Sequence, residues 1–431
     1  MDYLKNSAQK IFQYQAKLIL KKYKPKVIAI SGSVGKTLTK EALYLLLSRR
    51  FYVRKSERSF AAELTIPLTV IGCKSAGSSY WEWLDNFLIG LKVILWRVHY
   101  PQWLILEIDN EKSGDLRLIS SLVSPDILIM TAIGEVPAHI EAFSSIEQFI
   151  FEKKLLVSSV KREGVILYNH DDALTRSIVQ FSESKKISCG LQSADIVGTP
   201  LQVMYGKTKK FSFPTGMSFS VQHDGSAHSL TTHESLGVQN QYALILAFAT
   251  GLEMKIAPKD IVHSLNKYIA MPGRMRIIAG IKDTLIIDDS YNSSPVAMWQ
   301  AIELFGSLEN SGRKILVLGD MLQLGRHSAS EHRKIAAEIR VFADFVITVG
   351  LRARKISEEL IEIGFDPSKV ISFDASLEAG QNLEHILEPG DIVLVKGSEA
   401  LRMEQVVEEV MRHPEDKEKL LVRQEEEWTK K

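Results

Sequence analysis

The chain has 431 residues, 45% of them hydrophobic, with 53 Lys and Arg against 52 Asp and Glu and a net charge of +1. That length exceeds one ordinary core and predicts two or three domains, and so even a charge gives no reason to expect a nucleic-acid partner. The two cysteines, Cys73 and Cys189, exclude a disulfide framework or a Cys-based zinc site and fit a reducing, cytoplasmic compartment.

Residues 1–24 are amphipathic and Lys-rich throughout and read as one helix ending at Pro25, without the layout of a signal peptide. No run in the chain reaches the roughly 18 apolar residues of a spanning helix. An apolar strand over 27–30 then enters a tight turn, Gly32-Ser33-Val34-Gly35-Lys36-Thr37, and a helical run to about Arg49. Strand, Gly-rich turn and helix N-terminus in that order form a phosphate-binding loop. In it Lys36 can reach terminal phosphates, and the Thr37 hydroxyl can sit on Mg²⁺. The turn is shorter than the usual nucleotide-hydrolase form, and alone it says nucleotide without naming a reaction.

Further strands are predicted over 104–108, 127–131, 165–168 and 186–189, most of them followed by helices. That alternation implies an α/β fold with a parallel sheet covered on both faces. Residues 197–233 read as a small antiparallel patch, and a helix follows over 238–251. Met271-Pro272-Gly273-Arg274 reads as a hinge. After it come strands over 285–287, 315–318, 345–349, 370–373 and 392–395, each with a helical segment behind it, as in a doubly wound, Rossmann-like domain. The charged stretch 414–431 reads as a solvated tail or terminal helix.

Four clusters fall at predicted strand ends or just beyond them, where ligands of such sheets gather. Glu107 closes a strand and could hold Mg²⁺ or be a plain surface carboxylate. His139 stands in GEVPAHIE, where a lone His is commonly structural. Lys153 and Lys154 lie on a helix whose ordinary reading is a solvated face. Asp288 and Asp289 open a turn, Asp-Asp-Ser-Tyr-Asn, that also reads as a polar loop.

Taken in order, the motifs GSVGKT, LEID, AHIE, EKK, NHDD, VQNQY, MPGRM, IDDSYNSSP, LGDMLQLG and VKGSEALRME resemble the Mur ligase family, over about residues 26–410. Within it they are most similar to the MurF type, which adds D-alanyl-D-alanine to UDP-N-acetylmuramoyl-tripeptide. The resemblance implies a central P-loop ATP-binding domain over 25–275, a Rossmann-like C-terminal domain over 276–431, and an N-terminal helix over 1–24. It implies ATP and Mg²⁺ as cofactors, a nucleotide-sugar peptide and D-Ala-D-Ala as substrates, and a monomer acting in peptidoglycan-precursor synthesis. Carried over by position, Lys36 and the loop amides from Gly32 to Lys36 hold the phosphates, Thr37 and Glu107 bind one Mg²⁺, and His139 binds a second. Lys153, or Lys154 by register, is the carbamylated lysine that supports the second metal. Asn240 reads adenine, Arg274 reaches the phosphates from the domain junction, and Asp289, or Asp288, lies near the ribose. Lys396, Ser398 and Arg402 contribute between the closing domains.

Three features depart from the family pattern. About 31 residues precede Gly32, where the family has a UDP-binding domain, so that domain is expected to be lacking. Ala61, Ala62, Leu38 and Ala243 stand where the family has amides or hydroxyls. The stretch 74–102 is longer than usual and rich in Trp81, Trp83, Trp96 and aliphatic residues. It reads as an extra helix packed on the body, on residues 1–24 among others, or as a membrane-interface or protein-contact helix. Two other functions stay open on the residues alone: a ligase of this family for another carboxylate and amine, and a nucleotide-binding module without turnover.

Overall fold

A computed structural model describes residues 2–57, 62–75, 79–109, 112–207, 210–425 and 428. The Ala61 position lies outside them. The first sheet is built on β1 (Lys26–Ser31), β2 (Val53–Lys55), β3 (Trp103–Glu107), β4 (Ile127–Met130), β5 (Val165–Asn169) and β6 (Lys185–Gly190). It continues through β7 (Ile196–Gly198), β8 (Gln202–Lys207), β9 (Ser212–His223) and β10 (Ser226–His233). The order is β10-β9-β7-β6-β5-β4-β1-β3-β2, with β8 paired to β9. The segment over 197–233 is antiparallel, as expected. Its antiparallel strands extend the parallel sheet, because β7 pairs parallel with β6 and antiparallel with β9.

The parallel strands are continuous apolar runs, since both their faces are covered. In β1 the alternation divides the side chains between two cores. Ile28 and Ile30 pack toward the helices Lys36–Leu47 and Val238–Glu253, whereas Val27 and Ala29 face the opposite layer. That opposite layer includes the helices Asp2–Tyr23, Ala62–Ile71 and Tyr80–Leu95. No helix among the described residues is long and apolar enough to cross a membrane.

The second sheet adds β11 (Arg276–Ala279), β12 (Leu285–Asp289), β13 (Lys314–Gly319), β14 (Phe345–Val349), β15 (Val370–Phe373) and β16 (Ile392–Lys396). Its order is β11-β12-β16-β13-β14-β15. All neighbours are parallel except β11, an antiparallel edge strand that the sequence pattern did not single out. The hinge turns at Gly273, which has φ 69. A Cβ there would meet the Tyr291 nitrogen at 2.8 Å, so the hinge and the turn after β12 approach each other only through glycine.

The last segment corrects the reading of a solvated tail. After the short helix Lys417–Leu420, Leu421 and Arg423 are buried against the second lobe.

Candidate active site

The C-terminal ends of β1, β3 and β4 lie side by side, with Ile30 in register with Glu107 and Ser31 with Met130. The loop after β1 needs Gly32 at φ 143, because a Cβ there would fall 2.0 Å from Thr131 Oγ1. The next helix, Lys36–Leu47, starts at Gly35. Two loop amides are already committed: Ser33 and Val34 donate to the Ala132 carbonyl at 2.8 and 3.0 Å. This narrows the expectation for the loop from Gly32 to Lys36. The donors best placed for an anion are those of the helix's first turn, which lack intrahelical carbonyl partners.

Four charged side chains interlock beneath that turn. Lys36 folds back over the loop, donating to the Gly32 carbonyl at 2.9 Å and pairing with Asp109 Oδ2 at 2.9 Å. Thr37 Oγ1 donates to Glu107 Oε1 at 2.8 Å, and Lys40 Nζ lies 2.9 Å from Glu107 Oε2. Burial by itself would raise the Glu107 carboxyl, but Lys40, Lys36 and the hydrogen bonds from Lys40 and Thr37 bring it below its ordinary value. Burial opposes ionisation at Asp109 too, and there Lys36, His139 and Lys153 hold the carboxyl well below the usual carboxylate range.

Lys153 is not on a solvated face. Its helix, Ile146–Ser158, turns it inward, where it is fully buried and donates to Ser31 Oγ at 2.9 Å. Burial drives its pKa down to about 7, with Asp109 opposing the shift and Lys36 adding to it. Lys154 points elsewhere, its ammonium 3.4 Å from the centre of the Phe181 ring. Glu152, the first residue of the same triplet, accepts from the Gly114 and Leu116 amides and so caps the helix Asp115–Leu122. Only the middle residue of EKK thus turns toward the site, and it stays buried behind the cavity wall rather than lining it. His139 sits in the left-handed region, φ 62, on the cavity wall, and its Nδ1 is buried without a hydrogen-bond partner.

The second lobe closes the cavity. Lys36, Thr37, Glu107, Asp109 and His139 face Arg274 and the turn Tyr291-Asn292-Ser293-Ser294. The Arg274 guanidinium lies 4.1 Å from the centre of the Tyr291 ring. From the far side, Arg423 donates to the Tyr291 carbonyl and pairs with Glu404 Oε2 at 2.5 Å. The C-terminal segment therefore braces the turn that faces the loop. Next to this, Thr37, Lys40 and Glu107 also line a second opening, bounded by Pro272, Arg423 and Trp428.

Several residues placed by resemblance do not line this cavity. Asn240 is fully buried. Its amide donates to the Leu236 carbonyl at 2.7 Å and the Arg274 carbonyl at 3.3 Å, and its oxygen accepts from Tyr268 at 2.7 Å. Both of its donors and one acceptor site are used internally near the hinge, and it stands off the cavity wall rather than on it, away from where an adenine reader would be expected. Its neighbours Gln239 and Ala243 do border a small cavity behind the loop. Asp289, expected near a ribose, instead pairs with Lys396 at 2.7 Å and accepts from the Met275 amide at 3.2 Å. Asp288 likewise accepts from the Gly273 amide at 3.0 Å. Lys396 also donates to the Asn292 carbonyl at 3.0 Å. Ser398 accepts from the Leu322 amide at 2.9 Å, and Arg402 donates to the Trp428 carbonyl at 2.7 Å. These three act within the second lobe, behind the wall. Lys40 and Arg423 are site residues that the sequence reading missed. Asp109 and Tyr291 stood inside motifs it singled out, just beyond Glu107 and in the Asp-Asp-Ser-Tyr-Asn turn, but were given no role.

Two family models match the chain: the Mur ligase middle domain over residues 30–251, and the Mur ligase, glutamate ligase domain over residues 273–399. Among curated relatives, the UDP-N-acetylmuramoyl-tripeptide--D-alanyl-D-alanine ligase of Bacillus subtilis (strain 168) is 27% identical over 403 residues, 93% of this chain and 79% of its own. The protein of the same name from Borreliella burgdorferi is 25% identical over 414 residues, covering 94% and 78%. The crystal structure of MurF ligase from Thermotoga maritima in complex with ADP superposes with a TM-score of 0.75 at 22% identity, over 93% of this chain and 83% of that one. That likeness carries the fold.

Proposed function

Because the chain belongs to the Mur ligase family, we propose that it is an ATP-dependent amide ligase of peptidoglycan-precursor synthesis. It activates the carboxylate of a UDP-N-acetylmuramoyl peptide and joins it to D-alanyl-D-alanine, the reaction named for the relatives above. The observation that carries this reading is one cavity that gathers Lys36, Thr37, Glu107, Asp109 and His139 opposite Arg274.

The reaction passes the γ-phosphoryl group of ATP to a carboxylate oxygen, leaving ADP and an acyl phosphate. The amine then attacks the carbonyl carbon, loses a proton, and the tetrahedral intermediate expels phosphate. Catalysis of this kind is chiefly positioning and charge stabilisation. Lys36, which pairs with Asp109 and the Gly32 carbonyl, turns toward the phosphates when they occupy the loop. The amides at the start of the helix Lys36–Leu47 add their dipole. Arg274 supplies a second cation from the other lobe, and the closed turn over 291–294 keeps water from the acyl phosphate.

The donor set fits Mg²⁺. The Thr37 hydroxyl and the Glu107 carboxylate are hard oxygen donors already in contact and suit one ion, and the unpartnered Nδ1 of His139 is a ligand atom for a second. No group of three or more His, Cys, Asp or Glu forms a metal cluster among the described residues, so the remaining ligands would be phosphate oxygens and water, as is usual for this ion. Bound there, Mg²⁺ would neutralise charge on the phosphate oxygens. Lys153 is the residue we assign to carbamylation. Its buried amine, with a pKa of about 7, is substantially neutral at neutral pH, the form that adds CO₂ with loss of a proton.

Residues 25–275 are then the ATP-binding unit and residues 276–431 the closing unit, with the helix Asp2–Tyr23 docked on the first. With ATP and a nucleotide-linked peptide as substrates, the cytoplasm is the place of action and a monomer suffices. The test is phosphate release from ATP with UDP-N-acetylmuramoyl-tripeptide, with and without D-alanyl-D-alanine. Release that needs both substrates supports the reading. Nucleotide binding with no release for any acceptor overturns it.

A further inference from the structure

The helix Tyr80–Leu95 is buried on one face and apolar on the opposite, outward one. Asn86, Gly90 and Val93 face inward. The first helix, Asp2–Tyr23, lies against it in parallel: the Phe12 and Trp83 rings are 5.6 Å apart, Gln15 donates to the Phe87 carbonyl at 3.1 Å, and Tyr23 donates to the Trp96 carbonyl at 3.0 Å. The opposite face of the outer helix carries Trp81, Leu84, Leu88, Leu91 and Leu95, spaced 3, 4, 3 and 4 residues apart, so they form one stripe. Trp81 is 81% exposed and Leu95 66%, and Trp96, just past the helix end, is 60% exposed. A surface helix normally turns a polar face outward, and one that is apolar all round is normally covered.

Beside this stripe runs a second one of different chemistry. Lys10, Tyr14, Lys17 and Lys21 are spaced 4, 3 and 4 apart on the first helix, and all four are exposed. The groove between the two stripes is lined by Ile11, Leu18, Phe87 and Ile94. Lys92 and Arg97 add exposed positive charge along the outer helix, against Glu82 and Asp85 near its start. An apolar stripe with an indole at each end, next to a row of ammonium groups, matches an acyl boundary lying beneath anionic headgroups. The outer helix is only about 24 Å long at 1.5 Å per residue. It is fit to lie in the interface rather than cross it.

We propose that this two-helix face docks the protein on an anionic phospholipid surface. The apolar stripe enters the acyl boundary, and Lys10, Lys17 and Lys21 sit among the headgroup phosphates. The charge row is what favours this occupant over a protein partner or a second copy, for which an apolar stripe alone would serve.

The full chain is mixed with vesicles of phosphatidylcholine alone and of phosphatidylcholine with phosphatidylglycerol, and bound protein is separated by flotation. The protein is expected to float with the anionic vesicles and not with the neutral ones, with a blue shift of tryptophan emission. Replacing Leu84 and Leu88 by Ser should weaken binding by about tenfold per side chain. Replacing Lys10, Lys17 and Lys21 by Ala should weaken it about fivefold per charge. All five side chains reach the surface, so unchanged melting temperatures and phosphate release keep the comparison clean. The proposal is overturned if the parent chain stays unbound, if the variants bind as well as the parent, or if the parent forms a dimer without lipid that Leu88→Asp dissolves.

Discussion

Lys40 and Glu107 form an ion pair at 2.9 Å with both side chains closed off from water. The same carboxylate accepts the Thr37 hydroxyl at 2.8 Å, so the pair sets the position of the residue at the loop's end. Lys40→Met should destabilise the fold by about 3–5 kcal/mol, because it strands a buried carboxylate. A thermal melt measures this. The double variant with Glu107→Gln should recover a large part of the loss, and an additive double variant would show that the pair is not coupled.

Lys36→Ala removes an ammonium that bridges the loop and Asp109. Phosphate release should fall by at least about a hundredfold. Lys36→Arg should not restore it, because a planar guanidinium does not follow the curled path of the lysine in this buried position. Wild-type rates in either variant would remove Lys36 from the phosphate site.

A carbamate on Lys153 should give a ¹³C resonance when the protein is equilibrated with labelled bicarbonate. The signal should persist in Lys154→Ala, whose ammonium stacks on Phe181, and vanish in Lys153→Ala. Turnover should vanish with it. Full activity in Lys153→Ala would sink the assignment.

Arg423→Ala should loosen the brace behind Tyr291. It leaves Glu404 buried with Arg402 as its remaining guanidinium neighbour, at a cost of about 2 kcal/mol. Phosphate release should fall at saturating ATP as well as at low ATP, since the turn over 291–294 faces the loop. An unchanged melt and unchanged rates would return the C-terminal segment to the role of a solvated tail.

Burial raises Asp288 to about 6, although the Ser290 and Gly273 amides hydrogen-bond it. In an unfolded chain an Asp titrates near about 3.9. Between roughly pH 4 and 6 the folded protein therefore holds a proton that the unfolded chain has released, and this residue's contribution to stability falls as pH rises through that window. Asp288→Asn should remove that part of the slope in denaturation midpoints measured across the window. Parallel pH profiles for the two proteins would contradict it.

Much of the fold was legible because parallel strands buried on both faces are unbroken apolar runs, and those at β1, β3, β4 and β5 stand out from the helices between them. The loop was legible because glycine is required where Thr131 approaches Gly32. Lys40 was not. On its helix it looks like any surface lysine, and only a carboxylate from a strand 67 residues later makes it a buried partner. Arg423 hid in a run of charges for the same reason. Asn240 and Asp289 show the converse. The family resemblance sets them at a ligand site, but the Tyr268 hydroxyl, the Arg274 carbonyl and the Lys396 ammonium engage their side chains inside the protein. Periodicity reports what an element buries. It does not report which distant group will compete for a polar side chain.

The hinge is stitched to both lobes. On the C-terminal side the Gly273 and Met275 amides donate to the Asp288 and Asp289 carboxylates. On the other side, the Leu236 amide reaches the Met275 carbonyl at 3.1 Å and the Asn240 amide the Arg274 carbonyl at 3.3 Å. On that side too, Arg276 pairs with Glu234 at 3.5 Å and the Ile277 amide donates to the Glu234 carbonyl at 3.1 Å. The backbone of Arg274 is thus held between the lobes, its carbonyl tied to one and the amides on either side of it to the other. If Arg274 holds phosphate as proposed, its grip on the nucleotide would depend on both lobes at once, and nucleotide release and relative lobe movement would be a single kinetic event.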